Sequence, residues 1–487
     1  MNAAVGPAPH PGGARAMIEK AVLALVVGTI AIAPVPLGSN RAWAWAALSA
    51  CTAAALATWL LLWATGGVAV SRPLRKSWPV FALLAVWIAN LAVSIVPLPV
   101  DWVRMASPHS AALQAQLAVV GIIPQRMTLS IEPYATRALL LKSSMYVAIF
   151  FLLLAVVNTR ARLLTAVRVL VFAAVAHSLY AIAMHLLRID QEYLGTRIVH
   201  RIAATGFYPN QNHFAGMLEM VLALAIGLLM AGIARHPALT WKEAFAQAWG
   251  RGASLPVRIA LCVLVVALCA THSRAGNVAF AVSLLSIAIL SVWRSPGSAR
   301  ALFVLFASIV LIDVVLVGGF FGAEKLAERI QSTSLQDVED RHAAARTALQ
   351  IIRDFPIFGS GGGTFYVAFP AYRTPSIRNF YEYAHNDYAQ TFAECGVIGF
   401  CSIGLAILVT LAAAWRAQWR RAEGLMIAMS SASLLGCGAL LVHSWADFNL
   451  QIPANAILFV FLGSVAWVSL HLPDPDEASS AATLNDT

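Results

Sequence analysis

Long apolar segments separated by polar connections run through this chain from about residue 19 to residue 471. A window of about 19 residues, the length of helix that crosses the hydrocarbon core of a bilayer, picks out twelve of them. The pattern therefore predicts an all-α integral membrane protein with about twelve transmembrane helices. The predicted spans are 19–37, 43–66, 78–98, 137–157, 163–187, 213–233, 257–271, 275–293, 301–321, 391–415, 424–445 and 453–471.

One connection is much longer than the others. It is the longest hydrophilic segment of the chain and lies between spans 9 and 10. Helical spacing from Asp340 to Phe355, closed by Pro356, predicts that this large loop is partly helical. The apolar side of this predicted helix consists of Ala343, Ala344, Ala348, Leu349 and Ile352. The predicted organisation is a cytoplasmic N-terminal tail at 1–18, helices 1–9 over 19–321, the loop at 322–390, helices 10–12 over 391–471, and an acidic, disordered cytoplasmic tail at 472–487.

The composition supports the membrane assignment. Hydrophobic residues make up 60% of the chain and charged residues 11%, with a mean hydropathy of +0.74. A soluble protein of 487 residues has too little interior to bury that much apolar surface. The six cysteines all fall in apolar segments and are predicted to pack between helices rather than to form disulfides or a metal site.

The basic residues predict the orientation of the chain. Every second connection is basic, and Arg15 and Lys20 precede or open the first span. By the positive-inside bias, these connections and both termini are predicted to be cytoplasmic. The net charge of +10 then reflects loops that face anionic lipid and requires no nucleic-acid partner. The connections left for the outer side are 38–42, 99–136, 188–212, 272–274, 322–390 and 446–452.

His385 lies where the long outer loop meets the membrane, just before span 10. Polar groups at such a junction are costly unless they serve a site. A helix that starts after His385 disfavours the imidazolium, because the helix dipole is positive at that end, and a general base needs a neutral imidazole. His385 is therefore the predicted catalytic base, with Asn386 beside it. The structural alternative is that His385 only caps or hydrogen-bonds the helix.

Two arginines lie in other outer turns. Arg201 precedes span 6, where Pro209 marks a turn and Asn210 or Asn212 is placed to cap the helix. Arg274 lies in the very short connection between spans 7 and 8. Guanidinium groups beside a helix N-terminus suit a phosphate-bearing ligand, and two of them suit a diphosphate. The alternatives are a solvated basic loop for Arg201 and a lipid-headgroup anchor for Arg274.

Motifs for a metal or a nucleotide do not accompany these residues on the outer side. Asp-x-Asp, a common metal-binding pair for diphosphates, occurs only at Asp474-Pro475-Asp476 in the predicted cytoplasmic tail. The glycine-rich run from Gly359 to Phe365 is not followed by Gly-Lys-Ser/Thr, so it is predicted to be a turn rather than a nucleotide site. The sequence thus favours arginine over metal as the anion-binding group, and no cofactor is predicted.

Other polar residues near the outer helix ends receive no assigned role. Lys142 either snorkels to the outer interface or contacts a phosphate of a ligand. His443 and Asp447 are four residues apart and are expected to share one helix face and to form a structural hydrogen bond. The remaining residues, each expected to be satisfied by a hydrogen bond between helices, are His177, His185 and Asp313.

These motifs resemble the O-antigen ligase superfamily, which also holds O-antigen polymerases and protein O-oligosaccharyltransferases. The similar elements are Arg201…Gly206-Phe207…Asn210-Gln211-Asn212-His213-Phe214-Ala215, Ser273-Arg274-Ala275-Gly276 and His385-Asn386…Glu394-x-Gly396-x-x-Gly399. The resemblance spans roughly residues 130–470 and implies a GT-C-like membrane fold. It implies that Arg201 and Arg274 bind the donor diphosphate and that His385 is the base. The supporting residues would be Asn210, Asn212, His213, Asn386 and Glu394.

The chemistry implied by this resemblance is a metal-independent, inverting transfer of a glycan from undecaprenyl diphosphate to an acceptor hydroxyl. It would take place in the bacterial inner membrane, with the active site facing the periplasm. The first expectation is an O-antigen ligase acting on lipid A-core, and the alternative in the same superfamily is a polymerase of O-antigen or exopolysaccharide. A transporter or flippase of lipid-linked glycans is the alternative of another class. It should carry polar residues through both leaflets, whereas here they gather at the outer face.

Overall fold

The computed structural model describes residues 11–121, 123–233, 240–249, 255–321, 335–374 and 380–473. These residues fold mainly into helices. In chain order they are α1 Pro11–Ile32, α2 Ala42–Ala64, α3 Arg72–Lys76, α4 Trp78–Ser94, α5 Val100–Ala106, α6 Pro108–Ala115, α7 Pro133–Val156, α8 Arg160–Leu186, α9 Gln211–Gly232, α10 Trp241–Trp249, α11 Leu255–Ala270, α12 Arg274–Arg294, α13 Ala299–Phe321, α14 Leu335–Asp354, α15 Phe365–Tyr372, α16 Asp387–Arg420, α17 Gly424–His443 and α18 Pro453–His471.

The described residues also form 3₁₀ helices at Leu37–Ser39, Gln116–Val120, Pro296–Ser298 and Asn449–Gln451, and two small antiparallel hairpins. Strands β1 (Leu98–Pro99) and β2 (Arg126–Met127) pair Leu98 with Met127. Strands β3 (Gln191–Tyr193) and β4 (Thr196–Ile198) pair Glu192 with Arg197. Both hairpins lie in connections that the charge pattern places on the outer side.

Each of the twelve predicted spans coincides with one of these helices, which confirms the all-α membrane architecture. Among the described residues, eight helices are long and apolar enough to cross a bilayer: α2, α7, α8, α9, α12, α16, α17 and α18. Shorter apolar helical stretches lie at Trp78–Ser94, Leu255–Ala270 and Pro296–Ile312. The total of twelve crossings stays a prediction.

Some predicted features fall outside the described residues. They include the first ten residues of the N-terminal tail, residues 322–334 of the loop, and the tail from residue 474, with Asp474-Pro475-Asp476. Asp313 belongs to α13, but its side chain is outside the description. The helix predicted from Asp340 to Phe355 is confirmed as α14, which starts earlier, at Leu335, and ends before Pro356.

The buried side of α14 differs from the predicted one at one position. Leu349 was expected on the apolar side but is 52% exposed, whereas Ile351 is fully buried. Ala348 and Ile351 are three residues apart and so share a face, on which they pack with Phe355 and Phe369. Leu349 is one residue beyond Ala348, about 100° around the helix, and is turned away from that core.

Connections predicted to be outer contact one another at one end of the bundle. These contacts tie the connection after α1 to the β3–β4 hairpin, the 99–136 connection to the long loop, and the long loop to the connection between α17 and α18. They are Arg41 Nη2 to Thr196 Oγ1 (2.7 Å), Ile131 N to Ser360 O (2.9 Å) and Asp387 N to Ser444 O (2.9 Å). We call this the site end of the bundle.

Connections predicted to be cytoplasmic meet at the opposite end. Arg162 Nη2 lies 2.8 Å from Glu19 Oε2, and Arg160 makes a two-point contact with the Glu423 carboxylate at 2.7 Å. Arg421 Nη1 donates to the carbonyl of Leu472 at 2.9 Å. The grouping of the connections into two ends is therefore as the charge pattern predicts, and the side of the membrane that each end faces stays a prediction.

Helix α16 is broken at Gly396, whose φ of 62° and ψ of −171° are not helical. The segment 356–361 lies in the break, and the N–H of Val397 donates to the carbonyl of Pro356 at 2.9 Å. Side chains cannot fit there, because a Cβ on Gly396 would lie 2.2 Å from the Ile357 carbonyl oxygen. The inserted segment thus satisfies backbone groups that the break leaves free.

Candidate active site

His385 stands immediately before α16. Asn386 is the N-cap of this helix, since its Oδ1 accepts from the N–H of Ala389 at 3.0 Å. The φ of His385 is 51°, in the left-handed region that a non-glycine residue rarely adopts. Such backbone strain persists only where surrounding contacts hold it, and it clusters at functional sites. The predicted position of His385 at a loop-to-helix junction is confirmed.

The imidazole of His385 faces a buried carboxylate. Its Nδ1 lies 3.3 Å from Oδ1 of Asp447, and the two side chains are 14% and 0% exposed. This separation is slightly long for a hydrogen bond, as catalytic hydrogen bonds often are before substrate binds. A carboxylate at Nδ1 favours the tautomer that keeps the proton there, which leaves Nε2 free to accept one.

Asp447 is held by three further groups. Asn212 Nδ2 donates to its Oδ2 at 2.5 Å, the backbone N–H of Phe448 donates to Oδ1 at 2.9 Å, and His213 Nε2 lies 3.9 Å from Oδ1. Burial raises the pKa of Asp447, but the contact with His385 and the charges of both imidazoles lower it more, so the pKa lies below its usual range. The start of α9, predicted to face a phosphate, faces this carboxylate.

Phe448 forms one wall of the site. Its ring stacks on Tyr383, with centroids 4.3 Å apart, and it meets the rings of His213 and His385 edge-on at 4.6 Å and 4.8 Å. Tyr381 contacts His385 edge-on at 5.5 Å. Aromatic packing on both sides limits rotation of the imidazole and so supports the orientation that Asp447 imposes.

The turn that carries Asp447 is fastened to α9 and α18. Asn455 Nδ2 donates to the His213 carbonyl at 2.9 Å and to Asn449 Oδ1 at 3.1 Å. A Cβ on Gly216 would lie 2.4 Å from Asn449 Oδ1, so a glycine is required where α9 meets this turn. On the other side, Asp387 Oδ2 accepts from the N–H of Leu450 at 3.0 Å. These bonds set the distance between His385 and Asp447.

Arg201 is paired with an aspartate. Its Nε lies 3.2 Å from Asp190 Oδ2, and Arg197 Nη2 lies 3.5 Å from the same oxygen. Desolvation raises the pKa of Asp190, but the hydrogen bonds and charges of Arg201 and Arg197 lower it by a larger amount. The pKa of Asp190 therefore lies below its usual value. Both arginines are exposed, and exposed ion pairs are weak. Exchange of Asp190 for a ligand anion is therefore inexpensive.

Arg274 is the first residue of α12 and is exposed. Ser273 caps this helix by accepting from the N–H of Gly276 at 3.2 Å. The turns that carry the two predicted diphosphate-binding arginines are joined, because the N–H of Ala204 donates to the carbonyl of Ala270 at 2.8 Å. A contact between the rings of His185 and His272, 5.7 Å apart, supports the same junction.

His443 and Asp447 do not share a helix face, contrary to the prediction. Helix α17 ends at His443, and the chain turns before Asp447, so the spacing of four residues no longer places them together. His443 Nδ1 instead lies 2.7 Å from Oε1 of Glu219, with both side chains fully buried. A Cβ on Gly276 would lie 2.8 Å from this oxygen, so α12 packs closely against the pair.

Glu394 holds the glycine-rich turn. Its two carboxylate oxygens accept from the backbone N–H groups of Gly363 at 2.7 Å and Phe365 at 3.1 Å, and Gln390 Nε2 donates to it at 3.1 Å. The residues from Gly359 onward form a buried turn packed on α16, which confirms the predicted turn.

Asn210 caps α9, with Oδ1 accepting from the N–H of Asn212 at 2.8 Å.

Of the histidines without an assigned role, His177 makes the expected hydrogen bond between helices, whereas His185 bonds to the 188–212 connection rather than to another helix. His177 Nε2 lies 3.0 Å from the carbonyl oxygen of Ala31 on α1, and His185 Nδ1 lies 2.7 Å from the carbonyl oxygen of His200. Lys142 is half-buried on α7. Within the described ranges, no group of three or more His, Cys, Asp or Glu side chains is arranged to hold a metal ion.

The structure thus brings His385, Asn212 and His213 together around Asp447, and it joins the turns of Arg201 and Arg274. Sequence reasoning treated Asp447 as structural and assigned nothing to Phe448. The sequence did contain one indication of the role of Asp447, because the 446–452 connection that carries it is predicted to lie on the same side as His385. An acidic residue in a short outer connection is a candidate partner for a histidine on that side.

Fold and site together define a multi-pass, helical membrane protein in which His385 contacts a buried aspartate at one end of the bundle. Residues 259–403 match the family described as O-antigen ligase, which confirms the resemblance seen in the motifs. Members of this family are glycosyltransferase-like enzymes. The matched part contains Arg274, His385 and Glu394, whereas Arg201 and Asp447 lie outside it. A search of curated proteins gave no match to the chain.

Proposed function

We propose that this protein is a membrane glycosyltransferase that moves a glycan from undecaprenyl diphosphate to an acceptor hydroxyl on the periplasmic face. The proposed acceptor is lipid A-core, which makes it an O-antigen ligase. The observation that carries the proposal is the contact between His385 Nδ1 and the buried Asp447 carboxylate. The match of residues 259–403 to the O-antigen ligase family supports the reaction class.

In the proposed reaction, His385 Nε2 takes the proton of the acceptor hydroxyl as its oxygen attacks the anomeric carbon. The bond from that carbon to the diphosphate breaks, and the diphosphate leaves with the electron pair, so the configuration inverts. Asp447 stabilises the imidazolium that forms, since it is ionised and 3.3 Å away. Arg201 and Arg274 neutralise the charge that grows on the diphosphate. Asn212 and His213 hold Asp447.

The test is a reconstituted transfer assay with purified protein, undecaprenyl-diphosphate-linked glycan and lipid A-core. His385→Ala should lower turnover by about 10²–10⁴-fold while donor binding persists. His385→Asn should be equally impaired, because Asn can cap a helix but cannot take a proton at neutral pH. His109→Asn, which changes a half-exposed histidine in the 99–136 connection, is the matched control and should leave turnover unchanged. Near-normal turnover by a well-expressed His385→Asn enzyme would reject the base assignment.

The same assay separates the acceptors. A ligase should transfer glycan to lipid A-core and not to a second lipid-linked glycan. Transfer only to the lipid-linked glycan would overturn the ligase assignment while keeping the glycosyltransferase. Movement of the lipid-linked glycan across the bilayer with no transfer would overturn both.

A further inference from the structure

A glutamate and a histidine meet in the interior of the bundle and take no part in the reaction as proposed. Glu219 lies on α9, His443 is the last residue of α17, and Oε1 of the glutamate is 2.7 Å from Nδ1 of the histidine. Glu219 is the one carboxylate of α9 and lies within an otherwise apolar run. Apolar residues in place of a buried polar pair often leave a protein equally stable, and ionisable residues within membrane helices mark functional sites. Stability alone therefore does not account for the pair.

On one side, the pair supports the turn that carries Arg274. Gly276 lies in the first turn of α12, two residues after Arg274, and a Cβ there would lie 2.8 Å from Glu219 Oε1 and 2.9 Å from Ala215 Cβ. The same turn is closed by its cap, because Ser273 Oγ accepts from the N–H of Gly276 at 3.2 Å. The backbone of α12 thus rests directly on Glu219. A shift of this carboxylate would move the start of α12.

On the other side, the pair fixes the start of the turn that leads to Asp447. The carbonyl of His443 accepts from the N–H of Ala446, the residue before Asp447, at 2.9 Å. The carbonyl of the next residue, Ser444, accepts from the N–H of Asp387, the first residue of α16, at 2.9 Å. Backbone hydrogen bonds therefore connect His443 to the segments that carry both partners of the site contact.

We propose that Glu219 and His443 are positioning residues that set where Arg274 lies relative to the contact between His385 and Asp447. This inference rests on the proposed glycosyl transfer, in which the diphosphate bound by Arg274 leaves in line with the oxygen that His385 deprotonates. The pair acts through the two turns, because both of its side chains are fully buried. A hydrogen bond constrains the distance and the direction of a contact between helices. Misplacement of reacting groups by about 1 Å can cost about 10²-fold in rate.

The main test is the double variant Glu219→Met/His443→Leu in the reconstituted transfer assay. It replaces the pair with apolar side chains of similar volume, so the protein should fold with a midpoint of thermal unfolding near that of the wild type. Its kcat should fall by about 10–100-fold, because the turn of Arg274 and the base no longer keep their relative position. The KM for the lipid-linked donor should stay within about threefold, since both diphosphate-binding arginines are unchanged.

Two further variants distinguish this hydrogen bond from other buried ones. Glu219→Gln keeps an oxygen that accepts from Nδ1 of His443, so its kcat should stay within about threefold of the wild type. Ser433→Ala is the matched control on α17, because it removes another buried hydrogen bond between helices, from Ser433 Oγ to the carbonyl of Leu462 at 2.8 Å. Ser433 lies about 15 Å along the helix from His443, and its loss should leave kcat unchanged.

Gly276→Ala tests the same junction without removing a polar group, and it decides the matter if the double variant fails to accumulate. Its Cβ should push the first turn of α12 away from Glu219 and lower kcat by about tenfold. Gly438→Ala is the matched control on α17, since a Cβ there would make an ordinary contact of 3.6 Å with Ser283 Oγ on α12. It should leave kcat unchanged.

Wild-type kcat in a folded double variant or in Gly276→Ala would overturn the positioning role, as would a raised donor KM with unchanged kcat. Glu219→Gln as slow as the double variant would also overturn it, because the hydrogen bond persists there. An equal loss in Ser433→Ala would show that transfer responds to any lost buried hydrogen bond. Transfer by the wild type and by Ser433→Ala tests the proposed function itself. Its failure is therefore distinguishable from a loss confined to the variants of the pair.

Discussion

His385 and Asp447 meet across two connections that are distant in sequence, with Nδ1 and Oδ1 3.3 Å apart. The carboxylate also faces His213, and it lies between the start of α9 and the start of α16. The geometry matches that of the histidine and buried carboxylate that many hydrolases use for general-base catalysis.

Asp447→Asn should reduce turnover by about 10²–10⁴-fold, because an amide at Nδ1 no longer stabilises the imidazolium and permits the wrong tautomer. Donor binding should be retained, since the arginines are unchanged. Steady-state transfer kinetics would measure both effects. His385→Ala/Asp447→Asn should be no slower than His385→Ala alone, and additive losses would contradict a shared role.

Arg201→Ala and Arg274→Ala should each reduce transfer strongly and weaken donor binding, and Lys at either position should rescue only partly, because an ammonium cannot bind two oxygens in a fork. Arg197→Ala is the matched control for Arg201, since both pair with Asp190. It should retain most activity. EDTA should have no effect, and a loss of activity in EDTA would argue against arginine as the anion-binding group.

Asp447 should also make stability depend on pH. Because its pKa is depressed in the folded protein, it contributes stability that is fully present above the ordinary Asp range and is lost as the pH falls through the folded pKa. Thermal unfolding of the detergent-solubilised protein, followed from pH 7 downward, should show this loss. Asp447→Asn should have a flatter profile below about pH 4. Parallel profiles for the two proteins would refute the depressed pKa.

Gly396→Ala should destabilise the protein, because φ is positive and a Cβ would lie 2.2 Å from the Ile357 carbonyl oxygen. The backbone conformation alone costs about 1–3 kcal/mol. Gly404→Ala is the control on the same helix, since a Cβ there meets nothing within 4 Å. It should be neutral or stabilising by up to about 1 kcal/mol. Equal midpoints of thermal unfolding for the two variants would show that the break is not rigid.

The two ends of the bundle should face opposite sides of the membrane. A cysteine at Val119, which is 89% exposed in the 99–136 connection, should react with a membrane-impermeant maleimide applied from the periplasm. A cysteine at Gly297, where added side-chain atoms meet nothing within 4 Å, should react only after the membrane is opened. The reverse pattern would invert the orientation and place His385 in the cytoplasm.

Periodicity and charge predicted the helices, the grouping of connections and the position of His385, because these depend on local sequence and on the bilayer. The His385–Asp447 contact could not be predicted in the same way. It depends on where α17 ends, and the helix ends at His443, before the end of the span predicted at 424–445. The bond between Glu219 and His443 was equally hidden, since Glu219 lies within an apolar helix and carries no local motif.

The break in α16 was hidden for another reason. Gly396 lies in an apolar run that predicts one continuous helix. The helix is interrupted at Gly396 by contact with the segment from Pro356 to Gly361, which belongs to the long loop. Glu394 likewise matched the family motif without revealing its partners. Its bonds to Gly363 and Phe365 show that it supports the loop beneath the site.

The insertion of 356–361 into α16 also limits how this chain can vary in length. Backbone hydrogen bonds fix that segment against Ala393, Glu394 and Val397, so an added or deleted residue there would shift the loop against the helix. Changes in loop length are therefore expected to fall outside residues 356–361, so that the break in α16 keeps its shape.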